Sequence, residues 1–429
     1  MLKALIAAFH TPDLRRKLLI TMFIMALYRL GTYMPAPFVS YTNLQQCLAQ
    51  QGSGADLLTM MNMFAGGGML QLSVFSLGIM PYITASIIVQ LMRVVIPRFE
   101  ELHKEGQTGQ AKLTEYTRYV TIFLAILQSS VIVSVANSSL FPGCTVKPIP
   151  DHSIPTLLMM ILTMTAGTGL VMWLAEIITE KGVGNGMSLL IFTGIAANFP
   201  TLVGTVAKGA NPVKDVFVVL IMFLAITAIV VFVEQSQRRI PVQYAKRVVG
   251  RRTYGGSSTY IPIKVNMANV IPVIFASSIL SLPQMIATFG DQTKGWVQWI
   301  SSHFTYSSPW YLLTYALLII FFAFFYTSIT FNPEEISDNM KKYGGFIPGI
   351  RAGQPTADYL RYVINRINWV GAFYLAIVAM IPYIVFNTLG VQNTGIGGTS
   401  IIILVGVGLQ TVKDINAQLQ QRHYDGFLR

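Results

Sequence analysis

Ten apolar stretches, most of them close to twenty residues, recur along this chain between charged breaks and Pro or Gly breaks. They lie near 18–38, 70–96, 117–137, 154–177 and 184–205, then near 214–233, 267–289, 308–331, 368–388 and 399–415. About twenty helical residues cross roughly 30 Å of hydrocarbon. Composition points the same way, with 53% hydrophobic and only 11% charged residues, where a soluble domain carries about 25% charge. Lipid must therefore solvate much of the surface. The expected fold is an all-α membrane protein of ten transmembrane helices.

A net charge of +12 would suit nucleic acid if it were gathered on a soluble face, but its distribution follows the membrane instead. With the N-terminus inside, twenty-five of the thirty Lys and Arg residues fall on one side. Lys147, Lys208, Lys214 and Lys294 fall on the other, and Arg29 lies within the first stretch. The positive-inside rule then places both termini in the cytoplasm. Met1–Lys17 has no short apolar core followed by a small-residue cleavage site, so Lys3, Arg15, Arg16 and Lys17 read as cytoplasmic anchors. Two segments on that side are long, 234–266 and 332–367. Aromatic and β-branched residues are interleaved there with the charges, which predicts ordered, hairpin-like protrusions with some helix.

Ile79-Met-Pro81-Tyr-Ile83 and Ile271-Pro272-Val-Ile274 place a proline in the second and seventh stretches. Interrupted helices at matching places fit two inverted five-span halves, 1–205 and 206–429. Coincidence is the default, because proline is common in membrane helices. Cys47 and Cys144 make no metal-ligand pattern. Both fall in outside loops, where an oxidised pair is open and two unpaired small residues are the default.

The interior lacks chemistry. Of the eighteen carboxylates Glu176 falls inside a stretch near its cytoplasmic end, and Asp215 and Asp414 fall at the very ends of theirs. None sits at mid-bilayer, where an ion-coupled transporter usually keeps one. His10, His103, His152, His303 and His423 lie in loops or tails without HExxH spacing, which leaves an intramembrane metalloprotease no ligands. No Gly-Lys dipeptide offers a Walker A cradle, so nucleotide energy would come from a partner. Serines are plentiful, but no histidine at membrane depth would activate one. No enzyme activity and no cofactor are expected. Arg29 must face protein or water, or snorkel, and a packing arginine paired to a carbonyl is the favoured account. In 56–69 the apolar part is too short to cross a bilayer, and Gly66 to Gly68 supply a hinge. A short helix entering a funnel from outside and an ordinary surface loop both fit. Composition favours the loop.

Several segments resemble the SecY family of protein-conducting channels, in order and along essentially the whole chain. They are Met61-Asn-Met-Phe-Ala-Gly-Gly, Leu77-Gly-Ile-Met-Pro-Tyr-Ile-Thr-Ala-Ser-Ile, Gly182-Val-Gly-Asn-Gly, Arg238-Arg-Ile-Pro-Val-Gln-Tyr-Ala-Lys-Arg and Tyr260-Ile-Pro-Ile-Lys-Val-Asn. Phe331-Asn-Pro-Glu, Phe346-Ile-Pro-Gly-Ile-Arg and Gly397-Gly-Thr-Ser extend the match. The long 234–266 segment favours the bacterial branch. The resemblance implies two pseudo-symmetric halves around a central pore, closed at mid-membrane by Ile79, Ile83, Ile191, Ile274, Ile279 and Ile403. It makes 57–68 a plug seated from outside, with Leu57, Leu58, Met61, Asn62, Phe64, Gly66, Gly67 and Gly68. Thr84, Gln90, Gln128, Asn266 and Leu282 match a lateral gate between spans two and seven, with Leu282 at a position that is often aromatic.

Partners follow from the same resemblance: SecE-like and SecG-like small membrane subunits, the SecA motor ATPase, the ribosome, and signal peptides and nascent chains in the lipid bilayer. Arg238, Arg239, Lys246, Arg247, Arg251, Arg252, Lys341, Lys342 and Arg351 are the expected docking residues for SecA and the ribosome. The bland account of these charges is that they only fix topology. The external loop at 290–307 matches poorly, and Cys47 and Cys144 are not family residues. The competing function is a secondary transporter of a small solute, which an inverted repeat would also fit. An intramembrane protease is third.

Overall fold

The computed structural model describes residues 9–50, 62, 65–136, 146, 148–151, 153–207, 212–244, 247–249, 252–254, 258–289, 294–303, 308–389 and 398–425. The first half runs α1 (Pro12–Tyr33), a short α2 (Tyr41–Gln50), α3 (Met80–Val95), a short α4 (Pro97–Lys104), α5 (Gln107–Val135), α6 (Ile154–Lys181) and α7 (Gly186–Val206). The second half opens with α8 (Pro212–Gln235), then β1 (Gln237–Tyr244), β2 (Arg247–Val249), β3 (Arg252–Tyr254) and β4 (Ser258–Lys264). It continues with α9 (Ile271–Phe289), a short α10 (Gly295–His303), α11 (Pro309–Thr330), a short α12 (Pro333–Lys342), β5 (Gly345–Phe346), α13 (Gln354–Leu389) and α14 (Gly398–Asp425). The ten expected spans map onto α1, α3, α5, α6, α7, α8, α9, α11, α13 and α14, an all-α membrane architecture.

Six stretches are long and apolar enough to cross a membrane by length and composition: Gln107–Ser134, Ile154–Lys181, Val213–Gln235, Pro309–Lys342, Gln354–Phe386 and Ser400–Gln420. Of the other four, α1 is continuous over 22 residues, and three are shortened or interrupted for identifiable reasons. Proline interrupts α7 at Pro200 and α9 at Pro283. The segment expected as one span over 70–96 forms helix only from Met80. Its sixteen residues reach about 24 Å at 1.5 Å each.

Residues 65–79 before it are a series of turns. Irregular backbone is tolerated at membrane depth only where protein covers it and its polar groups are paired. Both conditions hold here. Leu72, Ser73, Phe75, Ser76, Leu77 and Ile79 are buried. Leu72 N donates to Met69 O at 3.1 Å, Gly78 N to Phe75 O at 2.9 Å, Ala36 N to Leu72 O at 2.9 Å and Val74 N to Met34 O at 2.9 Å. Pro81 sits in the first turn of α3 and Pro272 is the second residue of α9. At these positions a missing N–H costs no hydrogen bond, so both prolines begin helices where the sequence had suggested interruptions.

Elsewhere the helices outrun the apolar stretches. α5 starts at Gln107 and α13 at Gln354, both ahead of the expected 117 and 368, and both on the side carrying most of the Lys and Arg, here called the basic face. Cys47 is disulfide-bonded, which overturns the unpaired default. Cys144, the chain's other cysteine, lies outside the described residues. Only the fold brings α2 to this neighbourhood: Cys47 Sγ lies 3.2 Å from Val146 O, and Ser40 N donates to Pro148 O at 3.1 Å.

α1, α3, α5, α6 and α7 pack against one another, as do α8, α9, α11, α13 and α14. The two groups meet where α7 touches α14 and α8, and again where α3 touches α9. One apolar cluster runs through both. Above the basic face, β1 pairs antiparallel with β4 from Gln237 opposite Lys264 to Gln243 opposite Ser258, and with β5 on its other edge. Ile240, Val242 and Ile263 point inward onto Met340, Ile347, Leu360, Val363 and Ile364. The 234–266 and 332–367 segments are thus the ordered hairpin and helix expected of them, sharing one small core. Ile263→Ala is expected to weaken that core by about 2–5 kcal/mol. Limited proteolysis would read this as faster cutting within 237–264, with the helical core still protected.

Candidate functional site

Six isoleucines were expected to close a passage, and all six belong to or pack against one apolar cluster. Ile79 lies at the N-cap of α3 and Ile83 one turn on, with Ile83 N donating to Ile79 O at 3.1 Å. Ile191 comes from α7, Ile274 from α9 and Ile403 from α14. All five are buried, Ile403 completely, and belong to the cluster that spans both helix groups. Ile279 is partly buried and packs against it. Helical spacing puts Ile79 and Ile83 on one face. Only the fold shows that they come from four helices of both groups and belong to one buried cluster.

The glycine turn expected as a hinge is held from α1. Arg29 lies four residues from the end of that helix, nearer its terminus than the mid-span position expected. Its Nη1 donates to Gly66 O, and its Nη2 donates to Tyr33 Oη at 3.1 Å. This is the carbonyl pairing favoured from sequence. Gly66 has φ 70°, and a Cβ there would lie 2.6 Å from Tyr28 Oη. Glycine is required on both counts. Tyr28 in turn stacks on Phe75, with ring centroids 6.1 Å apart. Gly66 and Gly68 are buried and Gly67 half-buried, so the hinge is not the surface loop that composition favoured. Asn62 Oδ1 accepts from Leu70 N at 3.0 Å. Leu57, Leu58, Met61 and Phe64 lie outside the described residues.

The expected gate residues are less concerted. Thr84 Oγ1 donates to Met80 O at 3.0 Å within α3, and Gln90 Nε2 reaches Ser86 Oγ at 3.4 Å on the same helix. Gln128 is half-buried on α5. Leu282 lies on α9, its side chain outside the description. Asn266 is buried, but its amide donates to Glu234 Oε1 and Asn269 O, both in the second half. Among the described residues no hydrogen bond joins Gln90, Gln128 and Asn266 to one another.

Of the expected docking residues, Arg238, Arg239, Lys341, Lys342 and Arg351 are exposed. Arg239 stacks over Tyr260 at 4.8 Å from the ring centroid, which holds a cation on an aromatic face across the β1/β4 pair. Arg247 and Arg252 lie on β2 and β3, while Lys246 and Arg251 are outside the described residues.

Sequence reasoning missed two carboxylate contacts. Arg118 on α5 makes a two-pronged bond to Glu176 on α6, with Nε–Oε1 at 2.9 Å and Nη2–Oε2 at 2.7 Å. Glu176 had been placed correctly without its partner, since nothing in the sequence aligns the two helices. Glu234, assigned to a loop because the apolar run stops at 233, is buried in the last turn of α8. A carboxylate directly after a long apolar run was the available signal.

Known proteins agree with this geometry. Residues 73–412 match the family model for SecY. Protein translocase subunit SecY of Streptomyces coelicolor is 56% identical over 438 residues, with all of both chains covered. That of Micrococcus luteus is also 56% identical, over 437 residues, and that of Mycobacterium bovis 53% over 443 residues, each again with both chains fully covered. Among solved structures, one described as the structure of a protein conducting channel superposes with TM-score 0.65 at 16% identity, covering 94% of this chain and 92% of its own. The Sec61 chain of a canine ribosome-channel complex gives TM-score 0.62 at 17% identity, with the same two coverages. At such identities the superpositions carry the fold, and the full-length relatives carry the family. With its ten spans, late-starting third helix and shared isoleucine cluster, this chain belongs to the SecY family.

Proposed function

We propose that the chain is the central protein-conducting channel of the general secretory translocon. It passes unfolded polypeptides across the membrane and releases hydrophobic segments sideways into lipid. The observation that supports this is that Ile79, Ile83, Ile191, Ile274 and Ile403 are buried members of one apolar cluster shared by both helix groups, with Ile279 packed against that cluster. A narrow aliphatic waist dewets and stops ions, yet offers a sliding polypeptide no hydrogen bond to hold it.

Residues 1–205 and 206–429 serve as two inverted halves around this waist. The 57–68 segment is the plug, swinging on the glycine turn that Arg29 holds. The α3/α9 contact is the lateral gate, with Thr84, Gln90, Gln128, Asn266 and Leu282 along it. Thr84, Gln90 and Asn266 bond within their own halves, and an interhelical polar bond in lipid is worth only about 0.6–2 kcal/mol, so an apolar substrate helix can part the seam. The excess of Lys and Arg supports a cytoplasmic basic face in the bacterial plasma membrane with both termini inside. The exposed arginines and lysines of the hairpin and of the α12–β5 region dock SecA and the ribosome, whose RNA phosphates bind cations with counterion release. SecE-like and SecG-like subunits complete the assembly. Relatives named as translocase subunits and likeness to a Sec61 chain from a ribosome-channel complex support this reading.

The direct test places a cysteine at Ile83 and another in an arrested secretory polypeptide. Cross-linking between them is expected, whereas gradient-driven uptake of a small solute by vesicles holding this chain alone would favour a transporter. Replacing Ile83 and Ile274 together by Asn should hydrate the waist and raise resting ion leak at least about tenfold, measured as conductance of reconstituted vesicles. Arg29→Leu removes a charged donor worth about 1.5–3 kcal/mol from the Gly66 carbonyl. It should raise the same leak while leaving the waist intact, and an unchanged leak would separate Arg29 from the seal.

A further inference from the structure

One buried carboxylate, Glu234, has no part in the account above, although its partner Asn266 does. It sits where α8 ends, where the β1/β4 hairpin is rooted and where the chain turns into α9. Glu234 is 8% and Asn266 3% exposed. Asn266 Nδ2 donates to Glu234 Oε1 at 2.6 Å and to Asn269 O at 3.0 Å. Lys413 of α14 donates from Nζ to the backbone oxygen of Glu234 at 2.9 Å. Tyr374 of α13 keeps its hydroxyl buried without a hydrogen-bond partner among the described residues, within electrostatic reach of Glu234.

The backbone of the same corner is held as tightly. Val265 N donates to Ser236 O at 3.1 Å, closing the hairpin base. A Cβ on Gly371 would come within 2.5 Å of Val265 O, so α13 lies directly against this turn. Asn269 is left-handed at φ 51°, a conformation that asparagine tolerates better than most residues. Its carbonyl is one of the two that Asn266 serves.

A carboxylate is costly to bury unless hydrogen-bonded, and this one is matched to an amide rather than placed in a full ion pair. Asn266 is thereby committed at both of its amide contacts to its own half of the molecule. The amide therefore anchors the start of α9 to α8 and is not spent across the seam to α3.

We propose that Glu234 is a positioning residue for the gate. Its bond to Asn266 fixes the first turn of α9 on α8, and with it the resting position of the α9 face that meets α3. Removing either partner frees that turn and shifts the seam toward opening. The proposal rests on the channel reading of the α3/α9 seam.

The test is a two-residue cycle in membranes containing the full chain and its native partners. The readout is the rate of disulfide formation between cysteines introduced on facing sides of α3 and α9. Glu234→Ala and Asn266→Ala should each lower that rate about tenfold, the effect of one buried hydrogen bond to a charged group. The double variant should fall no further, because both substitutions break the same bond. Glu234→Gln keeps an accepting oxygen and should stay close to the wild-type rate. If an alanine variant fails to accumulate, Asn266→Ser shortens the side chain past reach of Glu234 and replaces it in the cycle.

Single variants with wild-type cross-linking would overturn the proposal. So would a double variant whose loss is the product of the two single losses, or a Glu234→Gln chain that behaves like Glu234→Ala. Polypeptide export by the wild-type chain, measured in the same membranes, keeps the two claims apart. Absent export removes the channel reading, whereas normal export with an unmoved gate removes only the role of Glu234.

Discussion

In hydrocarbon a backbone amide has no water to turn to, so every departure from helix must be enclosed by protein and paired within it. This chain departs from helix at two telling places, residues 65–79 before α3 and residues 265–270 before α9. Both run into helices with proline in the first turn, and both hold non-glycine residues in left-handed conformations, Leu72 and Asn269. α3 and α9 are also helices that meet across the halves. The unwound backbone stands next to the seam proposed to open, and the burial that such backbone requires ties it to neighbours within its own half.

Most interhelical polar contacts follow the same division, with Lys17 Nζ of α1 reaching Gln418 Oε1 of α14 at 3.4 Å across it. Arg118 with Glu176 joins α5 to α6, Thr327 with Asn368 joins α11 to α13 at 3.0 Å, and Asn266 with Glu234 joins α9 to α8. Each of these stays within a half. What mainly runs across is the isoleucine-rich apolar cluster, with aromatic side chains among its members. Lipid tails are as apolar as these side chains, so such packing carries little hydrophobic penalty for separation. Two bundles with a mainly apolar face between them can part and close again. That property suits a channel whose substrates differ in every side chain.

Helix number and type were legible because apolar runs near twenty residues leave few alternatives. The hairpin above the basic face was legible from β-branched and aromatic residues among the charges. Helix starts were less so: Met80 begins α3 because the turns ahead of it find cover, a property of neighbours absent from the local pattern. Pro81 and Pro272 were seen, but their place in a first turn was not. Cys47 could be called bonded only after the fold had brought α2 beside Val146. Glu234 was misplaced by a single residue of boundary, enough to move a buried carboxylate into a loop. The isoleucines carry no signal of their own, since buried and lipid-facing isoleucines look alike in sequence. Only the resemblance picked them out.

The account stands on a polypeptide path running between the two halves at the level of the isoleucine cluster. The most direct measurement is a structure of the assembled complex with a translocating polypeptide arrested inside it. Density for that polypeptide should thread between α3 and α7 on one side and α9 and α14 on the other, ringed by Ile83, Ile191, Ile274 and Ile403. Density lying along the lipid-facing flank, with those four isoleucines still packed against one another, would contradict the account.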